Sequence, residues 1–96
     1  MKTVKFKKWI CTIHIHHYLN GRPAIQLRSA DKLDPGPVLT ATVNLPEIPI
    51  ETDEVIIKDY SENEGILEVL IEAGIISEPN WTIKSDHVTF PVCRLL

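Results

Sequence analysis

One stretch constrains this chain more than any other. Ser61-Glu-Asn-Glu-Gly-Ile-Leu-Glu-Val-Leu-Ile-Glu-Ala-Gly74 is the one strongly helical segment in a sequence that otherwise reads as strands. Ile66, Leu67, Leu70, Ile71 and Ala73 supply an apolar face, so a helix is expected from about Glu62 to Ala73. Ser61 and Glu64 have the spacing of a capping box. Gly74 stands where a left-handed residue closes a helix, with Ile75 placed to fold back on Leu70. Opposite the apolar face, Glu64, Glu68 and Glu72 recur every four residues as one stripe. Stability does not favour that stripe: like charges at this spacing cost a few tenths of a kcal/mol, and Glu72 opposes the helix dipole. Gly65 adds up to ~1 kcal/mol of propensity cost in the first turn.

The flanking segments alternate or carry β-branched residues. Val4 to Tyr18 reads as one long strand, with Trp9, Cys11, Ile13 and Ile15 on one face and Ile10, Thr12, His14, His16 and Tyr18 on the other. Asn20-Gly21 signals a tight hairpin turn, and Ala24 to Ser29 is the return strand. Val38 to Asn44 is a third strand. Pro46 and Pro49 make Leu45 to Asp53 an extended connection, and Glu54 to Lys58 is a short buried fourth strand. Trp81 to Ile83 reads as a brief extended piece, and His87 to Leu95 as a last strand that Pro91 assigns to an edge or a bulge. The order β-β-β-β-α-β predicts an α+β fold: a mainly antiparallel sheet of about five strands with one helix on one face, in a single domain over residues 1–96.

With 44% hydrophobic and 24% charged residues, the chain has the composition of a globular domain rather than a disordered one. No apolar run approaches the ~20 residues of a membrane-spanning helix. The basic start, Met-Lys-Thr-Val-Lys-Phe-Lys-Lys-Trp, is not followed by a long apolar core or a cleavage site, so a cytoplasmic protein is expected. A disulfide between Cys11 and Cys93 would contribute on the order of 4 kcal/mol. Both lie in apolar strand-like runs, however, and reduced, buried thiols are the expectation.

Charge is divided unevenly. Residues 1–36 hold seven Lys or Arg against two Asp, a net +5, whereas residues 37–96 hold three against eleven acids, a net −8. Ten carboxylates and one lysine, Lys58, lie between Glu47 and Glu78. Such asymmetry bears on partners and association rates rather than on fold.

Motifs of chemistry are sparse. His14 and His16 would project from one strand face about 7 Å apart, close enough to share a metal. A third or fourth ligand would have to come from His87, Cys93, Asp86 or another carboxylate, and no C-x-x-C or H-E-x-x-H spacing is present. Cys11 would face away from His14 and His16, which argues against a nucleophile–base pair. Nothing selects one pair of carboxylates for acid–base work, and the glycines at 21, 36, 65 and 74 form no phosphate loop. Lys2, Lys5, Lys7 and Lys8 with Phe6 and Trp9 have the composition of a nucleic-acid patch, and equally that of a basic edge that discourages sheet pairing.

Three segments, Leu39-Thr-Ala-Thr-Val-Asn-Leu45, Lys58-Asp-Tyr-Ser-Glu-Asn-Glu-Gly-Ile-Leu-Glu68 and Phe90-Pro-Val-Cys-Arg-Leu95, resemble a family of small uncharacterised bacterial proteins of about a hundred residues. Members are common on phages, plasmids and other mobile elements. The resemblance covers residues 24–96 and implies no catalytic residues; it implies a small accessory protein that acts by binding host proteins, including those of defence systems. The expectation is a non-enzymatic protein-binding module without a cofactor. Its partner would be a host protein with a basic surface, such as a nuclease or a nucleic-acid-binding complex. The contact residues would be Glu51, Asp53, Glu54, Asp59, Glu62, Glu64, Glu68 and Glu72. The alternatives are metal or small-ligand binding at His14 and His16, and nucleic-acid binding by the N-terminal lysines.

Overall fold

Strand pairing in this α+β protein is antiparallel throughout and divides into two sheets. The computed structural model describes residues 3–96. The first sheet has the order β1-β2-β3-β4, from Thr3–Phe6, Trp9–His17, Pro23–Ser29 and Gly36–Thr40. The second has the order β5-β7-β6, from Glu54–Ile56, Val88–Arg94 and Trp81–Ser85. A helical turn at Ser61–Asn63 and the helix α1, Ile66–Glu72, lie between β5 and β6.

The expected long first strand is broken. Phe6 pairs with Trp9 across a two-residue loop, Lys7-Lys8, in which Lys7 takes φ 54°. Val4 then sits opposite Cys11, so the alternation continues across two strands and conceals the turn. The hairpin after β2 is looser than an Asn-Gly pair suggests. His17 pairs with Pro23, and five residues, 18–22, form the loop. It closes with Tyr18 N–H donating to the Arg22 carbonyl at 2.8 Å and Gly21 N–H to the Tyr18 carbonyl at 2.9 Å.

A single sheet was expected; what forms is two sheets held together by one extended segment. Beyond β4, Ala41 N–H donates to the Ile25 carbonyl of β3 at 2.8 Å, while the Ala41 carbonyl accepts from Lys58 N–H at 2.8 Å. Thr42 bridges Ile57, and Val43 N–H donates to the Ile56 carbonyl at 3.0 Å. The chain thus leaves one ladder and enters the other within three residues.

Pro91 is not at an edge, because β7 is the central strand of its sheet. The Pro91 carbonyl accepts from Ile57 N–H at 2.9 Å, one residue past the end of β5. Its missing donor therefore faces Ile57 at the end of the pairing with β5, where Pro91 still accepts one bond and only the reciprocal one is lost. Trp81 to Ile83, read as a brief extended piece, is part of the full strand β6, hydrogen-bonded to β7 on one side.

The main core lies between the inner faces of the two sheets and α1. It holds Val4, Phe6, Cys11, Ile25, Leu27, Leu39, Val55, Ile57, Ile66, Leu70 and Cys93, all buried. Each fully buried Ile or Leu contributes ~1.5–3 kcal/mol. The other face of the three-stranded sheet packs Ile56, Ile83, Phe90 and Val92 under Val43, Leu45, Ile48, Ile50 and Tyr60. The proline-bearing connection is thus a cover for a second, smaller core. Arg22 pins it there, its guanidinium donating to the carbonyls of Leu45 at 2.8 Å and Ile48 at 2.6 Å.

The two ends of the helix compare differently with expectation. At the C-terminus, Gly74 (φ 73°) donates to the Ile71 carbonyl and Ile75 to the Leu70 carbonyl, both at 3.0 Å, the paired bonds of a Schellman closure. At the N-terminus the capping box does not form. Ser61 is left-handed (φ 56°), and its carbonyl, not its hydroxyl, accepts from Glu64 N–H at 3.2 Å. The cap comes from Asp59 instead: its Oδ1 accepts from the N–H of Gly65 at 3.1 Å and of Leu67 at 3.0 Å. Gly65, at φ 98°, is the residue that turns the chain into α1 rather than a weak point inside it.

Asp59→Ala should therefore lower the unfolding free energy by about 1–2 kcal/mol. Ser61→Ala should change it by no more than about 0.5 kcal/mol. Urea denaturation of both variants checks the assignment; equal losses would return the cap to Ser61.

Candidate functional site

The acidic region sorts into carboxylates that hold the fold and carboxylates that do not. Asp59 caps α1 as described. Glu62 pairs with Lys58, Oε1 to Nζ 2.7 Å, and that bond lowers the Glu62 pKa from its ordinary value. Asp53 takes both of its oxygens to Nη1 of Arg94 at 2.8 Å each.

Glu54 differs from the role read for it in the sequence. It stands in β5 at 5% exposure and is not one of the exposed surface carboxylates. Its Oε1 accepts from Glu51 N–H at 2.8 Å, and its Oε2 accepts from Trp81 Nε1 at 3.0 Å and Asn80 Nδ2 at 3.3 Å. Burial pushes this carboxyl up. The donors of Glu51, Asn80 and Trp81 and the charge of Arg94 outweigh burial and leave its pKa below the ordinary value. One ionised side chain thus ties the connection after Ile50 to the start of β6.

Glu51, Glu64, Glu68 and Glu72 remain, all exposed. The ion pairs among the described residues, Lys58–Glu62 and Arg94–Asp53, include none of these four. Glu68 and Glu72 lie one turn apart on α1; Glu64 precedes the helix in the turn between it and Ser61–Asn63. The expected three-residue helical stripe is therefore two helical residues and one turn residue. No basic residue occupies the last turn of α1 to compensate its dipole.

From the end of α1 the chain runs along β7 to an open cleft of about 420 Å³. Ser77 N–H donates to the Arg94 carbonyl at 2.9 Å and Asn80 N–H to the Val92 carbonyl at 2.8 Å. Glu51, Glu54, Trp81 and Arg94 line the cleft, and Trp81 is 40% exposed there. Sequence reasoning passed over Trp81 as a site residue. An indole at the start of a strand gave no sign of being pinned by a carboxylate 27 positions earlier.

His14 and His16 lie in β2, on the face opposite to the buried Cys11. The rings of His14 and His16 stack with centroids 6.4 Å apart and planes 11° from parallel. His14 Nε2 lies 2.8 Å from Thr12 Oγ1. Among the described residues no group of three or more His, Cys, Asp or Glu is placed to hold a metal ion. Strands β1 to β4 contain no Asp or Glu, and their fixed cations are Lys5 and Arg28. Lys7 reaches the Glu62 carbonyl at 3.0 Å, and Lys2 lies outside the described residues. Cys11 and Cys93 are free and buried, as expected. Burial, aided by the charge of Glu78, raises the Cys93 thiol to about 11, and burial raises that of Cys11.

No protein-family model, curated protein or solved structure matches this chain.

Glu54 carries a testable pH dependence. A depressed carboxyl stabilises the fold above its unfolded value, near 4.3, and the contribution is lost as pH falls through the lower folded value. Glu54→Gln replaces one acceptor oxygen by a donor and should cost about 1–3 kcal/mol at pH 7. The variant should also lose less stability than the native chain between roughly pH 5 and pH 3. Urea unfolding across that range checks both; an unchanged acid slope would remove Glu54 from its assigned role.

Proposed function

We propose that this protein is a non-enzymatic binding module that docks on a basic surface of a protein partner through Glu64, Glu68 and Glu72. The observation that carries this reading is the sorting of the carboxylates. Asp53, Glu54, Asp59 and Glu62 have internal work, whereas Glu64, Glu68 and Glu72 are exposed, outside those ion pairs and, at Glu72, opposed to the helix dipole. Exposed side chains outside those ion pairs, one of them set against the helix dipole, are the ones that binding would retain.

The distribution of the remaining charge supports it. A sheet of four strands free of acids stands against a region rich in them, so the molecule has polarity as well as net charge. A polar charge distribution orients a diffusing partner and raises the association rate. The buried thiols, with raised pKa values, and Glu54, held by three donors with its pKa lowered, offer poor nucleophiles and bases at neutral pH. The resemblance to small proteins of mobile elements supplies the setting: the basic surface would belong to a host complex that handles nucleic acid, such as a nuclease of a defence system.

Reversal of Glu64, Glu68 and Glu72 to lysine should abolish retention of a host protein that the native chain captures at low salt and releases as salt rises. Captured proteins, identified by mass spectrometry at two salt concentrations, are the readout; retention unaffected by the reversal would contradict the docking surface. The single change Glu72→Lys should raise stability by about 0.3–1 kcal/mol while weakening capture. A fall in stability would show instead that Glu72 serves the fold.

A further inference from the structure

We infer that the cleft beside Trp81 seats one cationic side chain, a lysine or arginine, of the protein partner. This rests on the acidic-docking reading above and assigns it an anchor that the helix carboxylates do not provide.

Three observations converge on the cleft. First, its aromatic wall is fixed. Trp81 Nε1 donates to the buried Glu54, so the indole is held in place while the residue stays 40% exposed. An aromatic face held in advance loses little freedom on binding, which is the usual property of an interface anchor.

Second, the charges that meet there favour a cation. Arg94 is matched by both oxygens of Asp53. Glu51 and Glu54 are then in excess on the lining, so a carboxylate or phosphate would meet net repulsion. Oε1 of Glu54 takes a single donor, the Glu51 N–H, and a carboxylate oxygen has room for a second.

Third, the wall chemistry suits the stem of such a residue. Pro49 and Ile50 offer apolar surface for the methylenes of lysine or arginine, and Trp81 offers a π face for the charged end. The segment after α1 is hydrogen-bonded along β7 to this point, which ties the cleft to the helix bearing Glu68 and Glu72.

The test uses a decapeptide of alternating arginine and serine, with a glutamate–serine decapeptide as control. The chain has two tryptophans, so Trp9→Phe leaves Trp81 as the only indole. Its fluorescence should change saturably with the arginine peptide and not with the glutamate peptide. Trp81→Leu should weaken binding about tenfold, read by anisotropy of labelled peptide. Glu51→Gln, which keeps the backbone bond to Glu54, should weaken it about threefold and guards against a folding defect in the first variant. Binding that leaves Trp81 fluorescence and both variants unchanged would overturn the cleft while sparing the helix carboxylates. Absence of any binding by the arginine peptide would overturn both. Equal binding of the glutamate peptide would overturn the cationic assignment.

Discussion

The structure depends on the passage of residues 41–43 from one sheet to the other. Ala41 donates to β3 and accepts from Lys58, and Thr42 and Val43 continue onto Ile57 and Ile56. These bonds bring the two sheets together around a shared core, in which α1 packs against β1. Thr42 is also tied from the side: its hydroxyl lies 2.8 Å from the Tyr18 hydroxyl and accepts from Ile25 N–H at 3.3 Å. Nearby, Asn63 Nδ2 donates to the Thr40 carbonyl at 2.7 Å, which anchors the turn before α1 to the same segment. A backbone crossing of this kind must satisfy every buried donor and acceptor, because an unpaired one costs on the order of 1–3 kcal/mol.

The position of the acidic surface follows from that crossing. The turn at Ser61–Asn63 is anchored at Thr40, Asp59 then caps α1, and the helix presents Ile66 and Leu70 inward. Glu68 and Glu72 are left outward by the helical period rather than by any contact of their own. On the far side, Glu54 carries a different burden: it joins the cover of the small core to β6 and fixes Trp81. Two carboxylates of one acidic region thus do opposite things. Glu54 is buried with three donors, and a cut there would loosen the fold; Glu68 is exposed, and a change there is expected to be felt by a partner.

Much of this was legible from local pattern. The Schellman closure at Gly74, the buried strand at Glu54–Ile56 and the buried thiols follow from residue type and spacing. What the sequence concealed depends on long-range partners. The break at Lys7-Lys8 is hidden because a two-residue loop preserves the alternation on both sides. The capping box is a correct motif that loses to Asp59, whose carboxylate reaches two N–H groups six and eight residues ahead. Pro91 reads as an edge or bulge residue because sequence does not reveal that the neighbouring strand ends at Ile56. The burial of Glu54 was illegible for the same reason: its donors stand at 51, 80 and 81, two of them far away in sequence. The cleft beside Trp81 was missed with it.

The central claim is that the surface carboxylates around α1, together with the Trp81 cleft, form the face that meets a basic partner. Amide and indole chemical shifts in a two-dimensional ¹⁵N spectrum, followed as the arginine–serine peptide is added, test it most directly. The account predicts shifts confined to residues near 64–80, Glu51 and the Trp81 indole, fading as salt is raised. Shifts centred on β1 to β4, or none near α1 at low salt, would contradict it.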